Sequence, residues 1–338
     1  MPTGIVLSFR KPAYFWPRSE PDYREDKVKN ELAIASCFAA ILLIPGPAVN
    51  ASANTNTSAN PGAGQITVLY DAFGKDSALQ KDWGYAALVE YGGKRILFDT
   101  GNNAQNLEHN VKALSVDLRN LDFVVMSHRH GDHMGGLAYL LKVNPAVKIY
   151  APKERSGVYG DDQPSSTWYR KDASLPEEQR YYNGNPPEII HMGDAWPRAN
   201  IQLIDKTTEI APGMSVIALV SDKPGTLEVR ELSLAIRTPE GLVLVVGCSH
   251  PGIESILREA AAIDPHIHFL FGGLHQIQSS DPEVERIAGV LHDQYKVERV
   301  APGHCTGEPA FTALKKAFGD RYVYAGLGTR LELATIQK

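Results

Sequence analysis

Positive charge is in short supply in this chain. Its 34 lysines and arginines face 39 aspartates and glutamates across 338 residues, a net charge of -5. Nucleic-acid binding draws on a basic excess, so no nucleic-acid partner is expected. Cysteine is rarer, with Cys37, Cys248 and Cys305 as the full set. Long apolar runs are missing as well. Leu32 to Ile44 is largely apolar for thirteen residues, whereas a typical membrane-spanning helix needs about 20.

That length matches the hydrophobic part of a secretory leader. Lys27 and Lys29 precede the run, and Ala51-Ser52-Ala53 follows Pro45-Gly46-Pro47 as an A-x-A cleavage site. Residues 1–53 are therefore expected to form an export leader with a long segment ahead of its apolar part. Initiation near Val28 would shorten that segment; a buried core helix or an uncleaved anchor is the alternative. Ile34-Ala35-Ser36-Cys37 has the look of a lipoprotein box, but the apolar run continues from Phe38 to Ile44, so it is not read as one. Residues 54–64, rich in Asn, Thr, Ser, Ala and Gly, read as a flexible linker. Export would place the remainder in the periplasm or outside the cell, with no stable membrane insertion. In that compartment Cys248 and Cys305 could pair.

Histidine is scarce too, with eleven residues, yet three of them fall in His128-Arg129-His130-Gly131-Asp132-His133. This stretch follows the apolar strand Phe123-Val124-Val125-Met126 and precedes a helical pattern from Gly135-Gly136 to Leu141. Two rigid elements thus hold a loop of ligand-type side chains. In an extended segment His128 and His130 point to one side and can share a cation. Gly131 lets the backbone turn, which swings Asp132 and His133 toward a second position. Neutral imidazole and carboxylate oxygen suit zinc, with iron or manganese as alternatives. Two-metal hydrolases hold their ions about 3.5–4 Å apart.

The pattern His128-x-His130-x-Asp132-His133 followed by Gly135-Gly136 resembles the signature of the metallo-β-lactamase superfamily. The resemblance covers roughly residues 65–338. It implies an α+β fold, a four-layer αββα sandwich, with one or two metals at an edge of its sheets. It is specific for the fold and weak for the substrate, because superfamily members cleave many kinds of bond.

Gly92-Gly93 between Ala86–Tyr91 and Arg95–Phe98 is a hairpin signal. The second strand ends in Asp99-Thr100-Gly101. The resemblance implies that Asp99 orients a ligating histidine from behind; a turn aspartate is the plainer reading. Residues 102–114 read as a helix with His109 solvated. Residues 152–200 carry Pro, Gly, Tyr, Trp and charge with weak periodicity, as an irregular cap insertion does. Trp168, Tyr169, Tyr181 and Tyr182 could stack on a planar substrate, and Arg155, Arg170 and Lys171 could meet an anion. Packing of those aromatics onto the body is equally open. His191 could ligate or serve structure.

Strands are expected at 214–220, 232–237 and 242–246. The last ends in Gly247-Cys248-Ser249-His250-Pro251-Gly252, ahead of a helix from Ile253. The commonest superfamily pattern would place a ligating histidine near Val220-Ser221-Asp222 and a bridging aspartate where Cys248 stands; neither is there. Gly-Cys-Ser-His-Pro-Gly instead resembles the subgroup of the 7,8-dihydropterin-6-yl-methyl-4-(β-D-ribofuranosyl)aminobenzene 5'-phosphate synthase. That resemblance implies that His250 supplies the missing imidazole. Cys248 could ligate as a thiolate or be a small buried residue. A strand over 269–271 ends in Gly272-Gly273-Leu274-His275, where His275 could act as an acid, touch substrate or be structural. A helix is expected over 282–295. Val300 to Gly307 then delivers His304, which the resemblance assigns to the second metal.

The expected site has His128, His130 and His250 on one zinc, and Asp132, His133 and His304 on the other. Asp132 and His275 are the candidate catalytic residues; Asp99 and Cys248 are supporting or further ligating ones. The expected function is metal-dependent hydrolysis of an ester, amide, lactone or phosphoester in a small-molecule substrate. The subgroup resemblance implies an anionic, aromatic one. An exported protein would not meet a cytoplasmic pterin precursor, so the synthase reaction is not assigned. The rivals are a β-lactamase or lactonase and an exported metal- or ligand-binding protein without turnover. The oligomeric state is left open.

Overall fold

Alternation of apolar residues sets the architecture. Successive side chains of a strand point to opposite faces, and most strands here are buried on both. Ile96 and Phe98 face one core while Leu97 faces another; Val243 and Val245 part from Leu244 in the same way, as do Phe269 and Phe271 from Leu270. A strand with two apolar faces needs cover on both sides, which dictates four layers. The computed structural model describes residues 64–154, 158–159, 161–192 and 196–333. The expected leader, and the linker up to residue 63, lie outside the described residues.

Seven strands form one sheet in the order Arg330–Glu332, Gln65–Tyr70, Ala86–Tyr91, Lys94–Phe98, Phe123–Val125, Lys148–Pro152 and Asn200–Ile204. Six form the other: Arg299–Gly303, Ile267–Gly273, Gly241–Val246, Arg230–Thr238, Met214–Val220 and Thr208–Ala211. Ile66, Val68, Val89, Phe98 and Val125 meet Val216, Leu234, Val245 and Phe271 between the sheets. Helices Ala104–Ala113 and Leu137–Val143 cover the outside of the first sheet through Leu107, Val111, Leu137 and Leu140. Helices Ile253–Ile263, Asp281–Gly289 and Glu308–Phe318 cover the second through Ile256, Leu257, Ile287 and Leu314. This is the expected αββα sandwich.

Local chemistry explains the turns. Gly92 and Gly93 both have positive φ, 58° and 75°, as the tight hairpin between Ala86–Tyr91 and Lys94–Phe98 requires. Asn103 caps the helix behind them by accepting from the backbone N–H of Gln105 and Asn106, at 2.9 and 3.0 Å. The helix expected over 282–295 is regular from Asp281 to Gly289 and continues as a wider turn over Val290–Gln294.

Several elements went unanticipated, among them the edge strands Asn200–Ile204, Thr208–Ala211 and Arg330–Glu332, the helix Glu308–Phe318, and the short helix Gly131–Met134, which carries Asp132 and His133 where a glycine turn was expected. Within residues 152–200, Asp161–Pro164 pairs with Ile189–Met192 as a separate two-stranded sheet, with short helical turns between them. No helix among the described residues is long and apolar enough to cross a membrane.

Topology places the site. Lys94–Phe98, Phe123–Val125, Lys148–Pro152 and Asn200–Ile204 run parallel to one another, and so do Gly241–Val246, Ile267–Gly273 and Arg299–Gly303. Parallel strands finish on one rim, and loops leaving their carboxyl ends are where such sheets bind ligands. Five of these ends release Asp99, His128, Cys248 with His250, His275, and His304.

Candidate metal centre

Three imidazole nitrogens meet from both sheets. His128 Nε2 lies 3.0 Å from His130 Nδ1 and 3.3 Å from His250 Nε2, and His250 Nε2 lies 3.0 Å from His130 Nδ1. A second group stands beside it. His133 Nε2 is 3.2 Å from His304 Nε2, and the Asp132 carboxylate is 3.4 Å from His304 and 3.8 Å from His133. Cys248 Sγ adds a fourth donor 3.2 Å from His133 Nε2. Sequence positions more than a hundred residues apart thus converge in the two predicted triads, and each triad has its ligand atoms within 4.8 Å of one another.

The donor set fits divalent cations. Ligand nitrogens about 2.0–2.1 Å from a tetrahedral zinc stand roughly 3.3 Å apart, close to the spacings in both groups. Ring nitrogens facing one another at such distances crowd their lone pairs unless a shared cation draws them in. Burial and the neighbouring imidazoles push His128 well below the usual histidine range, and they push His250 down to about 2. Both are therefore neutral, the form that ligates.

His133 and His128 are fixed on their far sides as ligating histidines require, whereas His250 Nδ1 and His304 Nδ1 are buried without a hydrogen-bond partner. His133 Nδ1 lies 2.7 Å from Asp99 Oδ2, so its Nε2 is turned to the site. Burial opposes a charge on His133, but the Asp99 carboxylate overrides it and lifts the ring to about 9. Asp99 also accepts from Ser127 N and Ser127 Oγ, each at 2.6 Å, and Ser127 Oγ lies 2.8 Å from His128 Nδ1. One carboxylate thus braces a ring in each group. Burial works against ionised Asp132, yet His304 and His133 hold its carboxyl well below the usual range.

Two bracing carboxylates were not legible beforehand. Glu231, fully buried, accepts from the backbone N–H of Cys248 at 3.0 Å, Ser249 at 2.7 Å and His250 at 2.8 Å. Asp71 accepts from His304 N at 2.9 Å and Ala72 N at 2.7 Å. Burial lifts each carboxyl to about 7, against the pull of the N–H groups it accepts from. Single acids beside apolar strands carry no spacing signal. Trp83, 42% exposed, was also missed; its ring centroid lies 5.1 Å from that of His304.

Four non-glycine residues at these strand ends have positive φ: Asp99 at 58°, Ser249 at 64°, His275 at 50° and His304 at 48°. Each such residue costs on the order of 1–3 kcal/mol and persists where surrounding structure over-determines it, typically at functional sites. Gly135 and Gly136 explain their place in the motif. A Cβ on Gly135 would sit 2.0 Å from the Asn102 carbonyl oxygen, and one on Gly136 2.1 Å from that of Thr100.

The remaining expectations divide. His275 joins the rim, its ring centroid 4.3 Å from that of His250. His250 stands with His128 and His130, the group the resemblance gave it. The disulfide considered for Cys248 and Cys305 is not formed: both are free and buried. Their thiols are committed elsewhere, Cys305 Sγ donating to the Cys248 carbonyl at 3.7 Å and Cys248 Sγ facing His133. The His109 ring is exposed and lies 2.8 Å from the Ala78 carbonyl, away from the rim. The side chains of Arg155, Trp168 and His191 lie outside what is described.

Similarity to known proteins agrees with this geometry. The chain is 28% identical over 280 residues to the 7,8-dihydropterin-6-methyl-4-(β-D-ribofuranosyl)-aminobenzene-5'-phosphate synthase of Methanocaldococcus jannaschii, covering 76% of this chain and 92% of the relative. A crystal structure described as a metal-dependent hydrolase of the β-lactamase superfamily superposes with a TM-score of 0.59 at 28% identity, over 80% of this chain and all of the other. The metallo-β-lactamase fold protein YhfI from Bacillus subtilis superposes at 0.51 with 15% identity, over 80% of this chain and 99% of its own, a likeness of fold. The family model of the metallo-β-lactamase superfamily matches residues 84–304, the span from Gly84 beside the rim to the last imidazole on it, and the chain belongs to that superfamily.

Proposed function

We propose that this protein is an exported metal-dependent hydrolase that cleaves an ester, phosphoester or related bond in a small, anionic, aromatic substrate. The observation that carries the reading is the pair of donor groups, His128/His130/His250 and Asp132/His133/His304, side by side on one rim. Divalent cations held there, zinc first and iron or manganese as alternatives, would supply Lewis acidity and lower the pKa of water toward about 7.

The chain's own residues do the rest. Asp99 and Ser127 hold His133 and His128 with their ligating nitrogens inward. Glu231 and Asp71 pin the backbone that presents His250 and His304. Asp132, kept ionised, orients the attacking water. His275, at the edge of the first group, donates a proton to the leaving oxygen. Trp83 gives the mouth an apolar wall suited to an aromatic group. The name of the Methanocaldococcus relative contains an aminobenzene and a 5'-phosphate, which supports a phosphorylated aromatic substrate class. The apolar run at 32–44 supports export.

Metal analysis of the purified protein, paired with turnover assays on aryl phosphoesters, lactones, lactams and thioesters, tests the reading. Turnover lost on chelation and restored by added metal is expected. Stoichiometric metal with no turnover across the panel would overturn it and favour a binding protein. Fusing residues 1–64 to a reporter active only outside the cytoplasm tests export.

A further inference from the structure

The insertion contains a cavity of its own. Its volume is about 280 Å³, and Tyr169, Arg170, Lys171, Leu175, Arg180 and Tyr181 are on its wall. Ligand pockets are commonly about 300–1,000 Å³, so this one suits a single ring with one charged group. Its chemistry is divided accordingly. Tyr169 and Tyr181 pack edge to face, ring centroids 4.9 Å apart at 79°, an arrangement that a third aromatic ring can extend. Leu175 adds apolar surface. Arg170, Lys171 and Arg180 supply three cations against one wall carboxylate, Asp172. Asp172 is already engaged, accepting from Ser174 N at 2.9 Å and Ser174 Oγ at 2.6 Å.

Two further observations point to a ligand. Arg180 Nε is buried and has no hydrogen-bond partner. A buried donor left unpaired is costly, and Arg180 is on the cavity wall, where a guanidinium can meet an oxyanion. The turn that carries Arg180 is also strained. Tyr182 and Asn183 both have left-handed backbone, φ 54° and 52°, followed by Gly184 at 83°. Asn183 N donates to the Arg180 carbonyl at 3.0 Å, so the turn fixes the arginine's backbone. Non-glycine residues are held this way where function repays the strain.

We propose that this cavity is a binding site for a small aromatic oxyanion, an aryl phosphate, phosphonate or carboxylate, with Arg180 meeting the anion and Tyr169 and Tyr181 meeting the ring. The site is built entirely from the insertion, so it stands whether or not the metal centre turns over. Phenylphosphonate, which has no hydrolysable ester, is the probe, and calorimetric titration of the full metal-loaded chain is the measurement.

Binding in wild type should weaken tenfold or more in Arg180→Gln and severalfold in Tyr181→Ala. Tyr181 is 68% exposed, so that variant leaves folding intact. Methylphosphonate, lacking the ring, and benzyl alcohol, lacking the charge, should each bind at least tenfold more weakly than phenylphosphonate. His128→Ala, which disables the metal centre, should leave phenylphosphonate binding at this site unchanged. Binding that survives both insertion substitutions, or vanishes only with His128→Ala, would overturn the proposal. Equal affinity for methylphosphonate would overturn it as well.

Discussion

Glu231→Gln isolates how the second sheet delivers its imidazole. The side chain keeps its shape and loses one acceptor oxygen. Glu231 Oε1 serves Cys248 and Ser249 while Oε2 serves His250. With the amide oxygen kept on the first pair, the NH₂ group faces the His250 N–H, donor against donor. A bond to a charged acceptor contributes about 1.5–3 kcal/mol, and a buried N–H without a partner costs about 1–3 kcal/mol. Removing the charge offsets part of this, because burial already disfavours the ionised form and lifts the carboxyl to about 7. The net cost should therefore fall near the low end, about 2 kcal/mol, which lowers the melting temperature by roughly 4–8 °C in a domain of this size. Metal affinity should drop about 10–100-fold, as when other groups that orient ligands are lost. Thermal unfolding of metal-loaded and chelator-treated protein, with competitive metal titration, reads both effects. A variant with wild-type melting and wild-type affinity would show that the three N–H contacts do not position His250.

Removing one ligand from each donor group should halve the metal content: His250→Ala and His304→Ala are each expected to bind one divalent ion where wild type binds two, as measured by elemental analysis. Gly135→Ala places a methyl 2.0 Å from the Asn102 carbonyl oxygen and 2.4 Å from its carbon. Overpacking costs about 1–3 kcal/mol, and more against backbone, so its melting point should fall by several degrees. Gly131→Ala, where nothing lies within 4 Å of the added carbon, should melt like wild type. Cobalt-substituted protein should show a thiolate-to-metal absorption band that Cys248→Ser abolishes. Burial pushes the Cys248 thiol up, so the band appears only if a cation holds the thiolate.

Much of this molecule could be read in advance because its ligands are announced by their neighbours. Apolar runs such as Phe123–Met126 and Leu242–Val246 stop at a short motif with histidine, and parallel strands align such stops on one rim. The pairing of His250 with His128 and His130 followed from motif resemblance, since no local spacing links residues that far apart. What stayed hidden was held by single acids. Glu231 precedes the apolar part of its strand and Asp71 follows another, and their partners are backbone N–H groups on distant loops. Edge strands were hard for a different reason: Arg330–Glu332 is charged and only partly buried, so no apolar rhythm marks it. Glu308–Phe318 buries Ala310, Leu314 and Phe318 on one face, a period of four residues with only three buried side chains to mark it.

The division of ligands between the two sheets bears on how the protein matures. The segment from His128 to His133 is synthesised long before His250, and His304 comes later still. A partly made chain therefore carries only part of each donor group. Both donor groups are complete only once the strand Arg299–Gly303 lies beside Ile267–Gly273, and Gln65 pairs with Glu332 to join the two extremities of the domain. A chain that stopped short of His304 would keep the three imidazoles of the first group and lack one donor of the second.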